Sequence, residues 1–125
     1  MQRYDPMVAP DPEQWADLVD GERIDIIRAY HRKARISLPN APFHAAIHAI
    51  VETQIALGDE IPVARTVDRL MAEGLDRHDA IHAVGMALTE HMHPLVRAVV
   101  MPAEPNEAYY AALARLTAEG WRRSV

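Results

Sequence analysis

The spacing of apolar residues restricts the fold of this chain more than any other feature, because these residues recur every three or four positions along most of its length. The pattern is clearest in three segments, with apolar residues at Phe43, Ile47, Ile50 and Leu57, at Val63, Val67, Leu70 and Met71, and at Ile81, Val84, Leu88, Met92, Leu95 and Val99. This period is typical of amphipathic helices. The alternation that marks a half-buried strand is missing throughout the sequence. We therefore predict an all-α fold, a compact bundle of five to six helices.

Capping residues and prolines set the expected limits of these helices. The predicted helices span residues 12–18, 20–36, 41–57, 60–73, 76–100 and 106–120. Asp11 and Asp76 are typical N-cap residues, and Gly74 is typical of the position after a helix. Pro94 lies inside the fifth predicted helix, where we expect it to kink or split the helix.

The length of the chain, 125 residues, fits one domain with a feasible apolar core. We expect a single helical domain over residues 1–125, in which residues 1–10 form an extended arm. Residues 103–125 are expected to carry a C-terminal helix after a break formed by Pro102 and Pro105.

The composition excludes several classes of protein. A net charge of −5 argues against a surface that binds nucleic acid. Cysteine is absent, and no apolar stretch is long enough to span a bilayer. We therefore expect a soluble, cytoplasmic protein. Four methionines would make an adaptable interface that suits a homodimer. They are Met71, Met86, Met92 and Met101.

Histidine is the residue type that points to chemistry, because four of the seven histidines form two pairs with a spacing of four. The pairs are His44 with His48 and His78 with His82, and residues at this spacing share one face of a helix. Short connections make consecutive helices antiparallel, so the third and fifth helices should run in the same direction. The two pairs are then expected to face each other at one end of the bundle.

Two kinds of function suit such a cluster. The first is a non-catalytic interaction or accessory module, in which hydrogen-bonded histidines fix the register of the helices. The alternative is a protein that binds a divalent metal (zinc, iron or manganese), which would allow hydrolytic activity. Its candidate ligands are the paired histidines, with two glutamates as supplementary ligands or as a base. These residues are His44, His48, His78, His82, Glu52 and Glu90. Acid–base catalysis without a metal is a third option, and neither a reaction nor a substrate follows from the sequence.

Three other residues carry expectations about structure. His31 is expected at the surface, near the end of the second helix. Trp15 is expected to anchor the N-terminal segment onto the bundle. Gly85 is expected to allow a close approach between helices.

The two histidine segments together resemble a known group of proteins. Residues 44–54 read HAAIHAIVETQ and residues 77–82 read RHDAIH. These segments resemble the HxxxHxxxExQ and RHExxH segments of a widespread group of bacterial and archaeal helical domains of unknown function. The resemblance covers about residues 20–97, and Asp79 stands where members of the group usually have Glu. It implies a helical fold in which the two histidine segments pair, and it implies no particular reaction.

Overall fold

The computed structural model of the protein describes residues 4–33, 41–97 and 106–124. Within these ranges it contains seven α-helices and no strand. The helices are α1 (Pro12–Ala16), α2 (Asp20–Lys33), α3 (Ala41–Ala56), α4 (Val63–Ala72), α5 (Arg77–Arg97), α6 (Asn106–Arg115) and α7 (Ala118–Ser124). The predicted all-α fold is therefore confirmed.

The C-terminal part of the chain differs from the prediction, because the single expected helix over residues 106–120 is divided into α6 and α7. The hydroxyl of Thr117 accepts a hydrogen bond from the backbone N–H of Gly120 at 3.0 Å, as an N-cap residue does. The backbone N–H of Ala118 donates to the Glu73 carboxylate at 2.9 Å. These two contacts begin a new helix at Ala118.

Two other helix limits also differ from the prediction. A 3₁₀ turn at Gly58–Glu60 delays the start of α4 to Val63. The helix α5 continues past Pro94 to Arg97, so of the expected kink or split the split does not occur within the described residues. The predicted helical residues 34–36 and 98–100, and the break at Pro102 and Pro105, lie outside the described residues.

The predicted capping residues are confirmed. The Asp11 carboxylate accepts a hydrogen bond from the backbone N–H of Gln14 at 3.1 Å, at the start of α1. The Asp76 carboxylate accepts a hydrogen bond from the backbone N–H of Asp79 at 2.8 Å, at the start of α5. Gly74 has a φ of +112°, which favours glycine after a helix. The start of α5 is thereby fixed just before its first histidine.

The helix α3 lies between two clusters of buried apolar residues. The larger cluster joins α3 to α4, α5, α6 and α7, and includes Val51, Val63, Leu70, Ile81, Val84 and Leu113. The smaller cluster joins α3 to the N-terminal segment, α1 and α2, and consists of Tyr4, Trp15, Ile27, Ala45 and Ala49. Trp15 is buried and its indole N–H donates to the Thr53 hydroxyl at 3.0 Å, which confirms its expected anchoring role.

The helices α3 and α5 approach each other closely at Gly85. A Cβ atom added there would lie 3.1 Å from Cγ2 of Ile47, closer than ordinary van der Waals contact. This confirms the expected role of Gly85. The histidine pair of α5 lies in the preceding turns, and the close approach places it beside the histidine pair of α3.

The N-terminal arm is less extended than predicted over residues 4–10. Tyr4 and Pro6 are buried, whereas Met7 is half exposed. The backbone N–H of Val8 donates to the Asp5 carbonyl at 3.0 Å, which closes a turn. This turn holds the Tyr4 side chain against the bundle.

The surface of the described residues bears on two further expectations. None of the described helices is both long and apolar enough to cross a membrane. Met71 and Met86 are exposed, as the expected interface requires. The side chain of Met92 and all of Met101 lie outside the described residues, and the homodimer stays a prediction.

Candidate metal centre

Three helices bring five histidines together between the two apolar clusters. His31 comes from the end of α2, His44 and His48 from α3, and His78 and His82 from α5. The centroids of the rings are 4.2 Å apart for His78 and His82, 4.9 Å for His44 and His82, 5.0 Å for His31 and His44, and 5.4 Å for His48 and His78. The expected convergence of the two pairs therefore occurs, and a fifth ring joins them.

Four of these rings offer ligand atoms that lie close enough together to hold one metal ion. They are His31, His48, His78 and His82, and their ligand atoms all lie within 4.8 Å of one another. A tetrahedral ion with bonds of about 2.1 Å requires nitrogens about 3.4 Å apart. Separations of up to 4.8 Å would have to shorten to about 3.4 Å for all four rings to bind one ion.

All five rings carry a buried nitrogen that has no hydrogen-bond partner among the described residues. These atoms are Nε2 of His31, His44, His78 and His82, and Nδ1 of His48. A buried polar atom without a partner costs roughly 1–3 kcal/mol, and most such atoms in proteins are satisfied. Five unpartnered ring nitrogens in one cluster indicate a binding site for a ligand that imidazole nitrogens can contact.

The tautomer of His31 follows from its hydrogen bond. Nδ1 lies 2.8 Å from the backbone carbonyl oxygen of Ile27, which can only accept. Nδ1 therefore carries the proton, and Nε2 has a free lone pair. This lone pair is on the buried nitrogen that has no partner within residues 4–33, 41–97 and 106–124.

The tautomer of His48 is set by a chain of three residues behind it. The Tyr4 hydroxyl lies 2.5 Å from Oε2 of Glu52 and 2.6 Å from Nε2 of His48. A carboxylate can only accept, so Tyr4 donates its single proton to Glu52 and must accept from Nε2–H of His48. Arg77 donates to both Glu52 oxygens, at 2.7 and 2.8 Å, and keeps that carboxylate in place. The lone pair of His48 is therefore on Nδ1, within the cluster.

The environment lowers the pKa values of four of the five imidazoles, those of His44, His48, His78 and His82. Burial, followed by the neighbouring histidines, lowers the pKa of His82 to about 3. The same causes lower the pKa of His48 well below its usual value. Burial also lowers the pKa values of His44 and His78. At neutral pH these four rings are therefore free of the extra proton that would block metal binding.

Three of the four histidines predicted as ligands belong to the close group, namely His48, His78 and His82. The fourth, His44, contacts the group from one side. The expectation for His31 was wrong, since only 5% of its surface is exposed. A signal for its burial is present in the sequence, because His31 follows the apolar Ile27 by four residues on the same helix face.

The two glutamates predicted as supplementary ligands lie in different places. Glu52 is buried behind His48, where both of its oxygens are engaged by Tyr4 and Arg77. Glu90 is exposed and follows His82 by eight residues, which is about 12 Å along α5. It lines a groove formed by α5, α6 and α7, away from the histidines. The roles of Tyr4 and Arg77 were not foreseen from the sequence.

Comparison of the chain with known protein families, with curated proteins and with solved structures finds no match. The resemblance to the group of helical domains with two histidine segments stays a prediction. A functional conclusion therefore depends on the chemistry of the histidine cluster.

Proposed function

We propose that this protein binds one divalent transition-metal ion through His31, His48 and His82, together with His78. Two observations carry the proposal: all five rings have a buried nitrogen without a partner among the described residues, and four of the rings offer ligand atoms that lie within 4.8 Å of one another. The tautomers of His31 and His48 support it. In each ring, the nitrogen without a partner among the described residues carries a lone pair and not a proton.

The donor set favours some metals over others. Imidazole nitrogen suits zinc and iron, whereas manganese prefers carboxylate and water oxygens. Glu52, the only buried carboxylate among the described residues, already binds Arg77 and Tyr4. We therefore propose zinc or ferrous iron, and not manganese, as the natural ion.

The accessory module with a structural histidine cluster is the weaker proposal. Such a cluster should satisfy both nitrogens of a buried ring by hydrogen bonds to the protein. The contacts with the Ile27 carbonyl and with Tyr4 satisfy one nitrogen each of His31 and His48. The second nitrogen of each ring is better explained by a metal.

Metal analysis of untagged protein tests the proposal. Protein produced with zinc or iron supplementation should contain close to one ion per chain, and chelation should lower its melting temperature. At a free metal concentration of 100 times Kd, binding should stabilise the fold by about 2.7 kcal/mol.

Two variants separate specific from adventitious binding. The double variant His48→Ala/His82→Ala should lose the ion. The matched variant His44→Gln should keep it, because His44 is outside the group of four. A chain that stays free of metal after supplementation, with a melting temperature unaffected by chelator, would refute the proposal.

A further inference from the structure

The fifth histidine of the cluster has no role in a site of four ligands. His44 is outside the group whose ligand atoms lie within 4.8 Å of one another. Its ring centroid is nevertheless 5.0 Å from that of His31 and 4.9 Å from that of His82. Its Nε2 is buried and has no partner among the described residues. Metal binding by the other four rings would leave this atom unsatisfied beside the ion.

A metal ion in such a site would also lack a negative charge that compensates its own. Four neutral imidazoles leave both positive charges of a divalent ion uncompensated. The carboxylate behind the site, Glu52, is neutralised by Arg77 and separated from His48 by the Tyr4 hydroxyl. Asp5, Asp76 and Asp79 act electrostatically on His78, but all three are exposed, so solvent screens their charges. A largely buried cation without a buried anion beside it is costly, so the site favours a negatively charged ligand.

We propose that the metal ion carries a small exogenous monoanion, either hydroxide or another compact anion, which accepts a hydrogen bond from Nε2–H of His44. This inference rests on the proposed metal function. It bears on both observations, because the anion compensates one of the two positive charges and gives His44 its missing partner. The ligand lies on the side of the ion that His31 and His82 border. Binding the anion breaks no covalent bond, and His44 acts as a residue that positions it.

Cobalt(II)-substituted protein and sodium azide provide the test, because azide is a compact monoanion and cobalt(II) reports its ligands in the visible spectrum. Azide should change the d–d absorption of the wild-type cobalt protein with a saturable, one-site dependence. His44→Leu should still bind one cobalt ion and should weaken azide binding at least tenfold. His44→Gln keeps an N–H donor and should recover part of the affinity.

The outcomes distinguish this inference from the proposed function. Failure of the chain to bind cobalt would overturn both. Cobalt binding without any response to azide would overturn only the anion site, as would equal azide affinity in wild type and His44→Leu. X-ray absorption of the cobalt protein that counts one imidazole fewer in His44→Leu than in the wild type would identify His44 as a fifth ligand and would also overturn the anion site.

Discussion

Two buried polar clusters lie side by side in this protein and differ in one respect. In the first, Arg77 donates to both oxygens of Glu52 and to the Pro6 carbonyl, and Tyr4 also donates to Glu52. In the second, the five histidines each carry a buried nitrogen without a partner among the described residues. His48 belongs to both clusters, because one of its nitrogens contacts Tyr4 and the other is unsatisfied.

The difference separates a structural role from a binding role. A satisfied buried network forms part of the fold, and removing one member leaves the others uncompensated. An unsatisfied network lowers stability until a ligand supplies the missing interactions. Variants in the two clusters should therefore change stability in opposite directions.

The largest effect is expected in the satisfied network. Glu52→Gln removes the charge that faces buried Arg77 and should lower the free energy of unfolding by roughly 3–5 kcal/mol. Urea denaturation of the metal-free protein measures it. Glu119→Gln removes a carboxylate from an exposed pair with Arg123 and should change little. Equal effects of the two variants would show that the buried network is not structural.

The next largest effect is expected where the clusters meet. Tyr4→Phe removes the acceptor of His48 Nε2–H and should weaken metal binding ten- to a hundredfold, by analogy with other residues that orient metal ligands. Competition with a chromophoric chelator measures the affinity. Tyr30→Phe is the matched control. The Tyr30 ring lies beside the Tyr4 ring, and this variant also loses one phenolic hydroxyl. An unchanged affinity in Tyr4→Phe would show that Tyr4 does not orient His48.

Acidification should destabilise the metal-free protein through the unsatisfied cluster. The pKa of His82 is lowered to about 3 and that of His48 well below its usual value, whereas histidine in the unfolded chain titrates near pH 6.5. Below pH 6.5 the unfolded chain binds protons that the folded chain does not, so stability falls as the pH falls. Between pH 6.5 and 5.5 each of these histidines should cost about 1 kcal/mol. Denaturation curves at several pH values measure the slope, and a flat profile would contradict it.

The smallest expected effect is a gain in stability, whereas Glu52→Gln and acidification should lower the stability of the metal-free protein. His82→Leu replaces a ring whose buried Nε2 has no partner in the described part of the chain, so it should stabilise the metal-free protein by about 1 kcal/mol. The same variant should lose the stabilisation that added metal gives to the wild type. Thermal unfolding with and without zinc measures both effects. A destabilised metal-free variant would assign His82 a structural role.

The fold was largely predictable because its signals are local. The period of the apolar residues, the capping aspartates and Gly74 predicted most of the helix limits to within a few residues of the observed ones. The division between α6 and α7 was missed, although Thr117 is a typical N-cap residue. The convergence of the two histidine pairs followed from the direction of the helices.

The remaining parts of the site depend on tertiary packing. His31 reaches the cluster because α2 packs on α3. The apolar period around His31 indicates a buried face, but it does not place the ring beside the other four histidines. Tyr4 reaches His48, 44 positions away, because a turn folds the arm onto the bundle. Arg77 was visible in the motif, but its bond to Glu52 joins α5 to α3 and depends on how these two helices pack.

X-ray absorption of the metal-loaded protein at the zinc or iron edge tests the central claim most directly. The account predicts a first shell dominated by nitrogen at about 2.0–2.1 Å, with the outer-shell scattering of four imidazoles. His82→Leu should reduce that number to three or abolish binding. A shell dominated by oxygen, or one with fewer than three imidazoles in the wild type, would contradict a metal centre built from these histidines.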